Sequence, residues 1–287
     1  MKKIIFVSDM FADRYAGGAE LTTEALIAEA PCDVQKIQSA DLKKSAVDAH
    51  PNTFWVFGNF ADMSKELKAH FIKNEKYAVL EYDYKFCKYR NPSLHLLLGT
   101  TCSCEEDFGG KINSLFLHKS QSIFWMSQVQ MNLHLGKFSF LEKSNNIVLS
   151  SVFGNNVIDK IMSLDISKKN NKWVILNSPS LVKNVKGTIE YAEDNGLEYE
   201  LVWRLEYDEL LQKLAESKGL LFLPSGEDTC PRLVIEAKLL DCEIIMNNKV
   251  QHQDESWFQD KAFMINYLRE RPSVFWREIK ENVEHSL

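Results

Sequence analysis

At 287 residues, and with about 150 residues to a typical domain, the chain has room for roughly two domains and can bury a core without disulfides or metals. Its composition, 45% hydrophobic and 26% charged, excludes a disordered chain, a collagen-like chain and a long coiled coil. With 34 basic and 40 acidic residues the net charge is −6, which argues against general nucleic-acid binding but leaves room for a local basic pocket that takes a phosphate.

The chain opens on Lys3–Ser8, an apolar run that turns acidic at Asp9 and is too short for a signal peptide. Similar β-rich runs follow at Asp33–Gln38, Phe54–Asn59, Tyr77–Tyr82, Ser122–Met126 and Ile147–Val152. A second series comprises Trp173–Asn177, Tyr199–Trp203, Gly219–Leu223, Glu243–Met246 and Phe263–Asn266. Many are continuously apolar, as strands buried on both faces are. Between them lie amphipathic helices. Asp62–Asn74 and Asn155–Leu164 have one apolar face, and Tyr207–Ser217 gathers Leu210, Leu211, Leu214 and Ala215 on one side. Ser273–His285 reads as a helix with Val274, Phe275, Ile279 and Val283 as its stripe. Strand–helix alternation predicts parallel sheets in α/β domains, and this many strands exceeds one comfortable open sheet. The polar stretch Asp165–Lys172 marks the junction, giving domains over 1–164 and 165–270 with a closing helix over 271–287. No stretch reaches the roughly 18 apolar residues of a membrane-spanning helix. Six irregularly spaced cysteines without a secretion signal point to a reducing cytoplasm.

Two stretches have the chemistry of an anion or sugar site. Gly17 and Gly18 sit in the turn from the first strand into a helix. Paired glycines let a ligand approach the backbone, and a helix N-terminus favours negative charge; a plain tight turn is the alternative. Further on, the strand Gly219–Leu223 runs into Pro224-Ser-Gly-Glu227-Asp228-Thr229-Cys-Pro231-Arg232, with Glu236 on the next helix. Pro231 suits the first helical turn, and Asp228 and Thr229 ahead of it can cap the helix or bind a ligand. In an open α/β sheet, ligands bind beyond the carboxyl ends of the strands. One acid in the loop and another on the helix suit sugar hydroxyls, because a carboxylate accepts strong charge-assisted hydrogen bonds. Arg232 is either a phosphate ligand, by its planar fork, or a surface arginine.

The segment from Asp228 to Ala237 resembles the acid-x7-Glu-Ala motif of retaining GT-B glycosyltransferases of the group 1 type. Gly17-Gly18-Ala19-Glu20 is similar to that family's N-terminal turn. The resemblance implies two Rossmann-like doubly wound parallel-sheet domains facing a cleft. It implies that Asp228 (or Glu227) contacts the donor sugar and Glu236 the nucleoside ribose, as the catalytic acids. Gly17, Gly18, Glu227, Thr229 and Arg232 become donor-binding candidates. The family also places a basic residue against the donor diphosphate, for which Lys183 and Lys186 are the matching candidates; two exposed helix lysines are the alternative. Ser273–His285 resembles the family's segment that crosses back to the first domain. The sequence departs from the family in having Asp228 for the usual glutamate, Pro231 for a loop glycine, and no arginine ahead of Lys183.

Three smaller groups of residues also have recognisable chemistry. Glu81-Tyr-Asp83-Tyr-Lys85-Phe-Cys-Lys-Tyr-Arg90 crowds aromatic and charged residues at a strand end, suited to an acceptor sugar or to ordinary loop packing. Cys87, His95, Cys102 and Cys104 form a Cys3His set that suits a structural zinc ion, although they lack a Cys-x2-Cys knuckle; buried thiols are the alternative. His118, His134 and His252 stand alone, and none is assigned a catalytic role. His118 and His252 are placed near a cleft and the donor side respectively.

The reading that follows from the resemblance is a cytoplasmic, metal-independent hexosyl- or glycosyltransferase. It moves a sugar from a UDP- or GDP-type nucleotide sugar to a glycan, lipid or small-molecule acceptor, with retention. A non-catalytic nucleotide-sugar or glycan-binding protein on the same scaffold is the alternative, favoured by the altered acid motif. No catalytic cofactor, no nucleic acid and no transmembrane segment is expected, while peripheral membrane contact is compatible with it.

Overall fold

The computed structural model describes residues Lys3–Glu284. They divide into two compact units. One comprises the chain up to Asn91, Thr101–Gly154 and the stretch from Glu270 onward; the other comprises Pro92–Thr100 and Asn155–Arg269.

The first unit is a six-stranded, all-parallel sheet in the order β2-β1-β3-β4-β5-β6. Its strands are β1 (Lys3–Ser8), β2 (Val34–Gln38), β3 (Thr53–Phe57), β4 (Tyr77–Glu81), β5 (Ile123–Trp125) and β6 (Asn146–Val148). The crossovers contain α1 (Gly18–Ala28), α2 (Lys44–Asp48), α3 (Lys65–Asn74), α5 (Phe108–Lys119) and α6 (Gln128–Lys137); α4 (Ser93–Leu97) belongs to the second unit. β3 and β4 are buried at every position, which explains their continuous apolar runs. Ser64 and Ser127 start α3 and α6 by accepting from Leu67 N and Gln130 N. One sheet face is covered by an aromatic cluster in which Phe57 meets Phe71, Tyr77 and Phe116 edge to face at 4.9, 5.7 and 5.1 Å. Such pairs each contribute about 0.5–1.5 kcal/mol beyond their burial. On the other face Phe6 and Phe124 pack against Phe275, at 6.0 and 4.7 Å, and Trp276 Nε1 donates to Leu26 O at 2.8 Å.

The second unit is a four-stranded parallel sheet in the order β10-β9-β7-β8. Its strands are β7 (Trp173–Leu176), β8 (Tyr199–Val202), β9 (Gly219–Phe222) and β10 (Glu243–Met246). Its helices are α7 (Asn155–Ser163), α8 (Val185–Asp194), α9 (Tyr207–Glu216), α10 (Arg232–Leu239) and α11 (Ser256–Gln259). Trp173, Ile175, Ala192 and Leu221 form the core on one face. On α9, Leu211, Leu214 and Ala215 are buried, and Leu210 is only half-buried.

Two expectations change. Phe263–Asn266 is not a strand but the start of α12 (Lys261–Glu284), which carries Pro272 inside it. Met264 and Leu268 are fully buried while Phe263 is half exposed, so the apolar spacing is helical rather than alternating. The run Ile147–Val152 is a strand only as far as Val148, and Ser150 adopts a left-handed φ of 67° just beyond it. The expected helix Ser273–His285 lies within α12, except that His285 falls outside the described residues.

Candidate functional site

In the second unit the chain passes from β7 to β8 on one side and then returns to the other side for β9. The order therefore reverses between β7 and β9, and in open α/β sheets ligands sit beyond the carboxyl ends of the strands at such a switch point. The two loops that leave these ends are tied together. Ser225 N and Oγ donate to Val182 O and Leu181 O at 2.9 and 2.8 Å. Asn184, in the left-handed region at φ 49°, donates from Nδ2 to Leu223 O at 3.0 Å. The backbone of Asp228 is fixed from a third side, with Asp228 N donating to Lys249 O and Gln251 N donating to Asp228 O.

This scaffold brings Lys183 and Asp228 together. Lys183 Nζ, at the end of a 3-10 turn over Leu181–Lys183, donates to Asp228 Oδ2 and lies 5.0 Å from the centroid of the Phe222 ring. Glu227 points to different partners: Lys249 Nζ at 2.7 Å, Gln251 Nε2 at 3.1 Å and Ser93 Oγ at 2.9 Å. The adjacent acids thus have separate environments, one facing the loop after β7 and the other facing α4 and the loop after β10. Thr229 is buried.

Pro231 occupies the position before α10 rather than its first turn, and no side chain caps the helix. Asp228 is engaged by Lys183 instead. Arg232 and Glu236 are both buried, so Arg232 is not a surface arginine. Arg232 Nε lies 3.5 Å from Glu236 Oε1, one turn along the helix, and Tyr207 Oη donates to the same oxygen at 2.8 Å. Burial raises the Glu236 carboxyl above its ordinary range, against the opposing pull of Arg232 and the Tyr207 hydrogen bond. Burial and the Glu236 charge push the Tyr207 phenol up in turn. Lys186 is separate from this group: it is exposed and pairs only loosely with Glu190 at 3.6 Å.

Gly17 and Gly18 lie in the first unit, at the entry to α1. Gly17 is extended, and a Cβ there would fall 2.5 Å from Glu20 Oε2 and 2.6 Å from Tyr15 Cε1. The glycine is required by its own neighbours. This sheet reverses between β1 and β3, and its carboxyl ends carry a partly buried charge network. Arg90 donates to Asp83 Oδ2 at 2.7 Å and Asn59 Oδ1 at 2.6 Å, and lies 3.8 Å from Asp9. Lys85 lies 3.4 Å from Glu81 and 3.5 Å from Asp83. Burial raises Glu81 to about 7 despite Lys85. At Asp83 the upward push of burial is overcome by Lys85 and Arg90, which hold it low. Sequence reading picked out Glu81–Arg90 but missed Asp9 and Asn59 as members of this network. An acid directly after the first apolar run was the available signal for Asp9.

The isolated histidines are structural. His118 Nδ1 meets Ser144 Oγ at 3.0 Å. His134 stacks on Tyr84, and burial pushes it down to about 4. His252 stacks on Trp257, fully buried, and is pushed down to about 3 by burial and then by Lys238. The ligand atoms of Cys87, His95, Cys102 and Cys104 all lie within 4.8 Å of one another. A cavity of about 920 Å³ in the first unit is lined by Lys3, Ile4, Thr53 and residues of α12. It opens at the amino ends of β1 and β3, away from the ends that carry the charge network.

No family model matches the sequence, and no curated protein matches it. Solved structures do. HepE of Anabaena, in complex with UDP and glucose, aligns over 100% of both chains at 12% identity with a TM-score of 0.53. The trehalose-6-phosphate synthase OtsA aligns over 99% of this chain and 96% of its own at 8% identity, TM-score 0.58. An E. coli structure bound with UDP-2-fluoro glucose aligns with the same coverage and identity at 0.56. The chain has the GT-B fold, built from two Rossmann-like parallel-sheet units. No described helix is long and apolar enough to cross a membrane.

Proposed function

We propose that the protein is a retaining glycosyltransferase that takes its sugar from a nucleoside-diphosphate donor bound by the second unit. The observation that carries this reading is the Lys183–Asp228 pair at the β7/β9 switch point, ahead of the helix that holds Glu236. A lysine there meets the diphosphate as negative charge develops on the leaving group, the point at which a fixed cation lowers the barrier most. When a phosphate takes Lys183, Asp228 is released to accept hydrogen bonds from donor-sugar hydroxyls. Tyr207 and Arg232 both address Glu236 Oε1, and we assign Oε2 to the ribose hydroxyls. Gly17 and Gly18 supply backbone amides at the start of α1. The acceptor is a glycan, a lipid or a small molecule, and the charge supplied by Lys183 is the reason to expect activity without added metal.

A non-catalytic nucleotide-sugar binder is the second reading. It is favoured by Glu227, whose carboxylate already has three side-chain partners and so is not free to take a sugar. The test is thermal shift and calorimetry with UDP, GDP, ADP and their sugars, followed by nucleotide release with glycan acceptors. Stabilisation by one nucleotide series with release supports transfer, and stabilisation without release supports the second reading. No binding in any series overturns both.

A further inference from the structure

We propose that Cys87, His95, Cys102 and Cys104 bind one zinc ion, as a closed structural site that fixes the chain between β4 and α5. The donor set is chemically complete: three thiolates and an imidazole fill a tetrahedral zinc shell and leave no position for substrate. The four ligand atoms already converge, each within 4.8 Å of the others. A tetrahedral centre with zinc–sulfur bonds of about 2.3 Å needs them about 3.8 Å apart, so side-chain rotation of about 1 Å per atom closes the site.

The backbone holds these residues in place. Cys87 closes a tight turn, its N donating to Tyr84 O and its O accepting from Arg90 N, both at 2.8 Å, with Arg90 at a left-handed φ of 56°. Cys104 accepts from Asp107 N at 3.2 Å, and its carbonyl occupies the space where any side chain on Gly110 would sit. Cys104 is thereby seated on the first turn of α5. His95 O accepts from Thr100 N and Oγ1 at 2.8 and 3.1 Å. Thr100 Oγ1 also lies 3.4 Å from His95 Nδ1, so we assign Nε2 to the metal, with Thr100 in the place where zinc-bound histidines keep an outer partner.

The surroundings fit a staple better than a filler. Apart from the five-residue α4, the chain from Tyr82 to Asp107 has no helix or strand. Long irregular segments gain most from a clip that closes them. Cys87 and Cys104 are buried in the aromatic core and Cys102 packs against it. None of the three is in a disulfide. Buried thiols alone act as small apolar groups, but that account gives no reason for an imidazole to join them. Binding is balanced by release of one proton from each thiol to water, the zinc taking the three thiolates and neutral His95.

The test uses the full chain without an affinity tag, purified with a thiol reductant and no chelator. Its zinc content is measured by mass spectrometry, and zinc-free protein is then titrated with Co2+. We expect close to one zinc per chain, and a Co2+ form with thiolate-to-cobalt charge-transfer absorption and the intense visible bands of a tetrahedral site. Cys102→Ser, at the least buried ligand, should lower retained zinc and weaken the charge-transfer band. A folded, reduced wild-type chain that retains less than about a tenth of an equivalent after exposure to Zn2+ overturns the site, since structural zinc binds far more tightly than that. So does a Co2+ spectrum without thiolate bands. These two readouts need no variant, and so decide the matter even if Cys102→Ser does not fold.

Discussion

Lys183 and Asp228, far apart in sequence, meet through their side chains in the loops leaving β7 and β9, whose backbones are hydrogen-bonded to each other. The lysine charge is therefore placed by the scaffold before any ligand arrives. That is the arrangement from which a diphosphate gains most, because little ordering remains at the moment of binding.

Lys183→Ala is expected to weaken binding of the cognate nucleoside diphosphate by about tenfold or more, the scale of a charge-assisted hydrogen bond. Lys186→Ala is expected to change it less than about twofold, because that side chain is exposed and makes only a weak surface pair. Isothermal titration of the two variants separates them. Equal losses would remove Lys183 from the site.

The Arg232–Glu236–Tyr207 group predicts a graded stability series. Glu236→Ala leaves the buried Arg232 guanidinium without its carboxylate and should cost about 3–5 kcal/mol. Tyr207→Phe removes one hydrogen bond and should cost about 1 kcal/mol. Urea denaturation measures both, and a Glu236→Ala loss no larger than that of Tyr207→Phe would show that the ion pair is not what holds α10.

His134 and His252 make the fold sensitive to acid. Their folded values, about 4 and about 3, lie below the ordinary value of 6.5. Between these limits the unfolded chain binds more protons, so stability is full above pH 6.5 and is lost as pH falls toward 4 and 3. His252 has no hydrogen-bond partner on either ring nitrogen among the described residues. His252→Phe should therefore raise the melting temperature by about 2–4 °C and flatten the acid limb. Glu81 acts in the opposite sense: raised to about 7, it contributes stability below its ordinary value that is lost as pH rises through 7. Melting curves from pH 4 to 8, compared with Glu81→Gln, resolve the two contributions; an unchanged acid limb in His252→Phe would contradict the assignment.

Two glycines should respond oppositely to alanine. A Cβ at Gly219 would fall on Glu243 O across the β9–β10 pair and 2.6 Å from the Trp173 ring. Gly219→Ala should cost about 1–3 kcal/mol through overpacking. Gly136, in α6, faces open space, so Gly136→Ala should stabilise by about 0.5–1 kcal/mol through helix propensity. Denaturant midpoints check the sign of each.

Most of the fold was legible because parallel strands buried on both faces are continuously apolar, and Lys3–Ser8, Tyr77–Glu81 and Gly219–Phe222 advertise themselves this way. Phe263–Asn266 deceived for the same reason. Four residues of mixed apolar character do not distinguish a strand from one turn of helix, and only the longer spacing through Met264, Leu268, Phe275, Ile279 and Val283 does. Pro272 hid that continuity, since proline usually ends a helix. At the candidate site, the loop and acid spacing located Asp228 and Glu236, but which acid faces which cation depends on loop-to-loop hydrogen bonds that no local pattern encodes. Arg232 fitted a surface arginine as well as a phosphate ligand, because its burial beside Glu236 and Tyr207, the latter on another helix, is tertiary and has no local signal. The charge network around Arg90 was half visible, since its members come from three separate strand ends, those of β1, β3 and β4.

The aromatic face that carries Phe6 and Phe124 is completed by Phe275 and Trp276, from the other end of the chain. A ribosome therefore releases the whole second unit before it supplies the residues that finish the first. Until then the nascent sheet exposes two phenylalanines to water, which makes chaperone demand during synthesis, rather than intrinsic stability, the expected determinant of yield.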